Sequence, residues 1–301
     1  MKPLINPPKS VNGRGTKRVG LTRRVLLGSL GSAGFLGSAT AGYAAAVEPL
    51  GLVVTSYEPS LRRWPAGRHL SISVIADLHA GGPNMTVGHI RHVVDVANSL
   101  KSDIIVLLGD YIASHRFVTE RVPEAVWSAE LARLRAPLGV WAVLGNHDWW
   151  FGVAKVHRAL ADAGIAVLEN HAVRLGVDGR RFWLAGLGDQ LAKRLGNGRF
   201  KGVDDLPGTL AHVDTNDPVI LLAHEPDIFP EVPDRVALTL AGHTHGGQVR
   251  LPFVSPYRGR FTYGHFVEAR RHMIVSGGLG TSVVPVRLGV PPEIVRVDLG
   301  A

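Results

Sequence analysis

Five apolar runs of strand length recur along the chain, and each stops at a polar residue suited to metal binding or proton transfer. The strongest lies within Leu238–Leu251, where Ala237–Ala241 ends in Gly242-His243-Thr244-His245-Gly246-Gly247. The others lie in Ile72–Gly81, ending in Asp77-Leu78-His79; in Ile104–Tyr111, ending in Gly109-Asp110; in Val140–Trp150, ending in Gly145-Asn146-His147-Asp148; and in Val219–Glu225, ending at His224. Unbroken apolar runs of this length suit strands buried on both faces. Strands are expected at Leu70–Ala76, Asp103–Leu108, Leu138–Leu144, Ile165–Leu168, Ala172–Leu175 and Arg181–Ala185, with Asp178-Gly179 as the hairpin turn before the last. Helical spacing appears between them. Thr86 is placed to cap a helix whose apolar face is Ile90, Val93, Val94, Ala97 and Leu100. Further helices are expected near Pro123–Arg135 and Val153–Ala163. Strand–helix alternation gives way to mostly strands after about residue 165, the pattern of a layered α/β sandwich.

The strand ends carry the chemistry. Open α/β sheets collect ligands at the carboxyl ends of their strands. On a strand, residues two apart share a face, so His243 and His245 can present two imidazoles to one small space. Two imidazoles suit a transition metal. With Asp77, His79, Asp110, Asn146 and His224 the set is too large for one tetrahedral ion and about right for two. There is no cysteine, which excludes disulfides and thiolate metal sites.

In this order, Asp-x-His, Gly-Asp, Gly-Asn-His-Asp, His and Gly-His-x-His, the motifs resemble those of the calcineurin-like metallophosphoesterases, over about residues 70–299. Gly-His-Thr-His-Gly-Gly-Gln, with Gly278–Ser282 and Pro291–Ile294 late in the chain, is most similar to a bacterial branch of exported phosphoesterases and UDP-2,3-diacylglucosamine pyrophosphatases. The resemblance implies a four-layer α-β-β-α sandwich of two mixed sheets flanked by helices. It implies one metal on Asp77, His79, Asp110 and His245 and a second on Asp110, Asn146, His224 and His243, with Asp110 bridging and a metal-bridging hydroxide attacking phosphorus. The ions would be divalent Mn, Fe, Zn, Co or Ni. His147 would protonate the leaving oxygen, and Asp148 would orient its ring. Family protein phosphatases carry Gly-Asp-x-x-Asp-Arg and Gly-Asn-His-Glu. Here Gly109–Ser114 lacks that Asp-Arg pair and the later motif ends in Asp148, which argues against protein phosphatase activity. The implied function is hydrolysis of a small or lipid-linked phosphoester. A UDP-2,3-diacylglucosamine pyrophosphatase of lipid A synthesis and a non-enzymatic metal-stabilised binding module are the alternatives.

Charge changes the picture only at the N-terminus. The formal charge is +8, but residues 1–47 hold seven Lys/Arg and no acid, so the rest carries 8 − 7 = +1. A nearly neutral body does not suggest a nucleic-acid partner. Arg23-Arg24, the uncharged run to Val47 and Ala44-Ala45-Ala46 read as a twin-arginine export signal with a small-residue cleavage site, or as a retained membrane anchor. The expected organisation is a leader over 1–47, a linker and edge strand over 48–69, and the metallophosphoesterase domain over 70–301. The expected location is the periplasm or cell envelope, reached through the twin-arginine machinery. Trp149, Trp150 and Phe151 are expected to pack in the core. Lys193, Arg194, Arg199 and Lys201 are expected on a polar, Gly-rich loop, Leu187–Thr209, and Gly277, Gly278 and Gly280 in a turn.

Overall fold

The computed structural model describes residues 38–177, 180–250 and 259–300. The compact unit Gly42–Ala301 is the body considered below. Two mixed six-stranded sheets form its middle. The first contains β1 (Val53–Tyr57), β2 (Leu70–Ile75), β3 (Ile104–Leu107), β4 (Val140–Ala142), β5 (Ala166–Val167) and β14 (Glu293–Leu299), in the order β1-β14-β2-β3-β4-β5. Only the β14–β2 pair is antiparallel. The second contains β6 (His171–Val177), β7 (Arg180–Gly186), β10 (Val219–Leu222), β11 (Val236–Ala241), β12 (Gly264–Glu268) and β13 (Arg271–Val275), in the order β12-β13-β11-β10-β7-β6. Its central pairs are parallel and its outer pairs antiparallel. The expected hairpin turn Asp178-Gly179 lies outside the described residues.

Each central strand divides its side chains between two cores, which is why its sequence is apolar without a break. In β3, Ile104 and Val106 face the layer between the sheets, with Ile72, Val74, Leu222, Leu238 and Leu240. Ile105 and Leu107 face the outer layer, with Ile90, Val94, Trp127 and Leu160. That outer layer is α1 (Val87–Ser99), α2 (Glu124–Leu131) and α3 (Asn146–Asp162). The Thr86 hydroxyl accepts from the His89 amide at 3.4 Å, and Ile90, Val93, Val94 and Ala97 are buried, as the sequence predicts. The layer beyond the second sheet is thinner: α4 (Leu206–Ala211) and a short 3-10 turn, Pro226–Glu231, over Val219, Leu221, Met273 and Val275. The four-layer α-β-β-α order expected from the motifs is therefore present.

Three expectations change. Helix α3 begins at Asn146, seven residues earlier than its apolar spacing suggested. The Asp148 carboxylate accepts from the Gly145 amide at 2.9 Å and closes the first turn, while Gly152, with non-helical backbone, separates this first stretch from the one that begins at Val153, as the apolar spacing predicts. The polar segment around residue 195 is a hairpin, β8 (Lys193–Gly196) with β9 (Arg199–Lys201), joined to neither large sheet. Contacts with the body also begin before the expected boundary at residue 47. Residues 42–46 are helical, the Ala44 carbonyl accepts from the Arg287 amide at 2.9 Å, and the buried Glu48 carboxylate accepts from the Val290 amide at 2.8 Å. Ala44, in the expected cleavage site, is thus packed against the domain. Arg23 and Arg24 lie outside the described residues. Among the described residues no helix is long and apolar enough to cross a membrane.

Candidate metal centre

The carboxyl ends of β2, β3, β10 and β11 meet at one point between the sheets, joined there by the loop after β4. Asp77, His79, Asp110, His243 and His245 all sit just past a strand end with positive φ, between 43° and 69°. Non-glycine residues seldom adopt that conformation, and it clusters where a site over-determines the backbone. Gly145 lets the β3 and β4 ends close together, because a Cβ there would lie 2.7 Å from both the Asp110 amide and the His224 ring. Gly278, with φ +66°, plays the same part beneath Asp77, whose Oδ2 would sit 2.6 Å from a Cβ. The expected turn at Gly277–Gly280 is therefore a floor. The Leu279 and Gly280 amides donate to the carbonyls of Ala76 and Asp77 at 3.0 and 2.7 Å.

All seven expected ligands converge. His79 Nε2 lies 3.1 Å from His245 Nε2 and 3.5 Å from Asp110 Oδ2. His245 Nε2 lies 3.7 Å from Asp77 Oδ1. On the other side, His224 Nε2 lies 3.3 Å from the same Asp110 Oδ2. His243 Nδ1 lies 3.3 Å from His224 Nε2 and 2.9 Å from Asn146 Oδ1. The ring orientations are fixed from behind. The Nδ1–H groups of His79, His224 and His245 donate to the carbonyls of Ile112, Leu108 and Gly280 at 3.1, 2.6 and 3.2 Å. That leaves each Nε2 lone pair aimed inward, as metal-binding histidines are held. Donor atoms of Asp77, His79 and His245, and of Asp110, His224 and His243, form two groups within 4.8 Å. This buried, thiolate-free nitrogen and oxygen set fits divalent ions of the transition series.

Charge in the centre is strongly displaced. Burial raises Asp77 to about 7. Burial opposes ionisation of Asp110 too, but His224, His147 and His79 outweigh it and hold that carboxyl well below its usual value. Burial lowers His79 to about 3. For His224 burial is outweighed by Asp110, which raises it well above the ordinary histidine value.

His147 lies at the open edge, half-buried, and its amide donates to Asp110 Oδ1 at 2.8 Å. The expected contact from Asp148 to its ring is not the one formed. The Asp148 carboxylate accepts from the amides of Asp110, Tyr111 and Gly145 at 2.9, 2.8 and 2.9 Å, and so clamps the β3 and β4 ends. Ser114 Oγ is instead hydrogen-bonded to His147 Nδ1. Sequence reasoning also missed Arg287. Its fully buried guanidinium donates to the carbonyls of Gly277, Gly278, Gly280 and Val290 at 2.6–3.1 Å and lies 3.4 Å from His245 Nδ1. Burial lowers it to about 10, still charged at neutral pH. Behind His224 sit two further buried acids, Asp189 and Glu225. Asp189 Oδ2 and Glu225 Oε1 have no protein partner, and burial and then Glu225 push Asp189 up to about 10.

A cavity of about 420 Å³ opens onto Asn146, His147 and His243, walled by Trp150, Phe151 and Arg194. Trp150 and Phe151 thus leave the core to which the sequence assigned them, while Trp149 packs against it. A larger groove of about 620 Å³ lies at the opposite, amino-terminal ends of β10 and β11, between residues 213–218 and 234–235, away from every expected ligand.

Residues 70–247 match the family model for calcineurin-like phosphoesterases, and the chain belongs to that family: it is a phosphoester hydrolase with a candidate metal centre. It is 34% identical over 251 residues to an uncharacterized metallophosphoesterase of Aquifex aeolicus, covering 82% of this chain and 92% of that one. It is 32% identical to the uncharacterized metallophosphoesterase YkuE of Bacillus subtilis, covering 91% and 96%. Phosphodiesterase YaeI of Escherichia coli is also 32% identical, covering 76% and 81%.

Proposed function

We propose that the chain hydrolyses phosphodiesters at a centre of two divalent ions, one on Asp77, His79, Asp110 and His245, the other on Asp110, Asn146, His224 and His243. One observation carries this reading: a single oxygen, Asp110 Oδ2, stands between His79 and His224 at 3.5 and 3.3 Å, where a bridging ligand belongs. A carboxylate suits that place because two nearby cations repel, and a shared anion offsets the repulsion. Bound there, divalent ions supply Lewis acidity toward phosphoryl oxygens and lower the pKa of water.

The chain's own groups do the rest. Asp148 and the Gly277–Gly280 floor hold the ligand loops, so the site is set before substrate arrives. His147 faces the cavity with Nδ1 tied to Ser114, leaving Nε2 to protonate the departing oxygen. Burial is the largest influence on its pKa and lowers it. The relative named a phosphodiesterase supports the choice of diester. The Arg23-Arg24 pair and the uncharged run after it support export of the folded domain to the cell envelope.

Purified, metal-loaded protein is expected to cleave bis-p-nitrophenyl phosphate faster than p-nitrophenyl phosphate. The reverse preference would make it a monoesterase.

A further inference from the structure

The mouth of the active-site cavity is built from three surface segments with an unusual shared composition. Residues 114–118 contribute Arg116 to the wall, the β8–β9 hairpin contributes Arg194, and residues 281–285 contribute Val283. These segments carry large apolar side chains in water: Phe117, Leu195, Phe200 and Val283, between 39% and 74% exposed. They also carry Arg116, Lys193, Arg194, Arg199 and Lys201 and no acid. None of these five cations is ion-paired among the described residues. The body as a whole is nearly neutral, so the cations are concentrated here.

The hairpin is the centre of this rim. It belongs to neither large sheet, and it is seated by aromatic packing at the cavity wall. Phe200 stacks on Trp150 with ring centres 5.5 Å apart, and the Arg194 guanidinium lies over the Trp150 ring, 3.7 Å from its centre. Leu195 and the lysines at its two ends are left outward. Exposed apolar side chains grouped around a binding mouth mark a surface that is covered in use. Cations beside them select an anionic cover, and the pairing of Lys/Arg with aliphatic and aromatic anchors is that of a protein lying on a charged membrane interface. Single-stranded nucleic acid would also attract cations and aromatics. Leu195 and Val283, the two most exposed of the four, offer it nothing to stack on.

We propose that this rim docks onto an anionic lipid bilayer and that the phosphoester delivered to His147 is carried on a lipid headgroup. The second half rests on the phosphodiesterase reading; the docking does not. Docking sets the cavity directly against the headgroup layer, so substrate passes from bilayer to site without crossing water.

The test uses the full, metal-loaded chain, phosphatidylcholine vesicles with and without phosphatidylglycerol, and two double variants, Phe117→Ser with Leu195→Ser and Lys193→Gln with Lys201→Gln. Each is checked for wild-type thermal stability and for its rate on soluble bis-p-nitrophenyl phosphate. Wild type should sediment with phosphatidylglycerol vesicles. The lysine variant should bind them about 25-fold more weakly, since each of the two rim cations near an anionic surface contributes roughly a factor of five. The variant without Phe117 and Leu195 should bind them more weakly as well, through lost apolar anchoring. The soluble rate should be unchanged. Vesicle binding that ignores phosphatidylglycerol, or that both variants retain in full, would overturn the proposal by placing attachment elsewhere, such as the basic N-terminus. Rim-dependent binding of an oligonucleotide in place of vesicles would overturn it as well. If soluble diester is not cleaved at all, the phosphodiesterase reading fails while the vesicle result still decides the docking.

Discussion

The floor of the cavity and its rim are built on opposite principles. On the floor, Asp77, Asp110, Asn146, His224 and His245 are almost fully buried, the backbone of Asp77, Asp110 and His245 is held in a sparsely populated conformation, and nearly every polar atom has a named partner. At the rim, Phe117, Leu195 and Phe200 stand in water and the cations have no ion pair among the described residues. A floor of that kind fixes a reaction. A rim of that kind leaves the choice of substrate to whatever surface covers it. Chemistry and specificity therefore reside in different parts of the chain, and substitutions should separate them.

The largest effect is expected at the shared floor oxygen. Asp110→Asn keeps the shape but removes the charge between His79 and His224, and it should lose bound metal and activity together. Metal retained with activity lost would remove Asp110 from the bridging role.

His147→Gln should keep its metal and lose about 10²–10⁴ in rate, the usual worth of general acid catalysis. The loss should shrink for p-nitrophenolate, a leaving group that needs no proton. Equal losses with good and poor leaving groups would show that the ring does something else.

Arg287→Met tests whether the floor depends on its support. It leaves several buried carbonyls unpaired, each costing about 1–3 kcal/mol. Metal affinity should fall about 10–100-fold, as when outer partners of a metal ligand are lost. Metal titration monitored by heat release would show it, and an unchanged affinity would make Arg287 a purely structural residue.

Far from the floor the effects should be small. Glu130 accepts from Arg91 and Arg133, and the Arg91 hydrogen bond chiefly holds its carboxyl below its ordinary value. A folded-state pKa that is depressed stabilises the fold above the unfolded value, and the gain is lost as pH falls through the folded one. Glu130→Gln should therefore lower the melting temperature by no more than a few degrees at neutral pH, both arginines being largely exposed. The gap to wild type should close in acid. A gap that widens in acid would mean that the pair is not the source of the stabilisation.

The two regions were also unequally legible in the sequence. Floor ligands announce themselves because a metal demands particular side chains at fixed offsets from strand ends, as His243-Thr244-His245 does. The supports do so less well: Arg287 acts on backbone carbonyls, which carry no motif, and Asp148 was visible in its motif but was assigned to the His147 ring in place of the backbone amides that it accepts from. Ser114 was passed over for the same reason: its bond to His147 spans 33 residues and depends on how the loop after β3 folds back. The stretch of α3 before Gly152 was missed because Asn146-His147-Asp148 reads as loop chemistry, when Asp148 is also a first-turn acid. The rim was half legible. Its cations were visible as a basic stretch, but the exposure of Leu195 and Phe200 follows from a hairpin that leaves both sheets, which local pattern does not encode.

The account rests on two ions sharing Asp110. Elemental analysis of purified, active protein, set beside its bis-p-nitrophenyl phosphate rate before and after chelation and after restoring divalent metal, tests this most directly. Two equivalents of divalent metal per chain, with activity lost to the chelator and recovered on reloading, is the predicted result. One equivalent or none in fully active protein would contradict it.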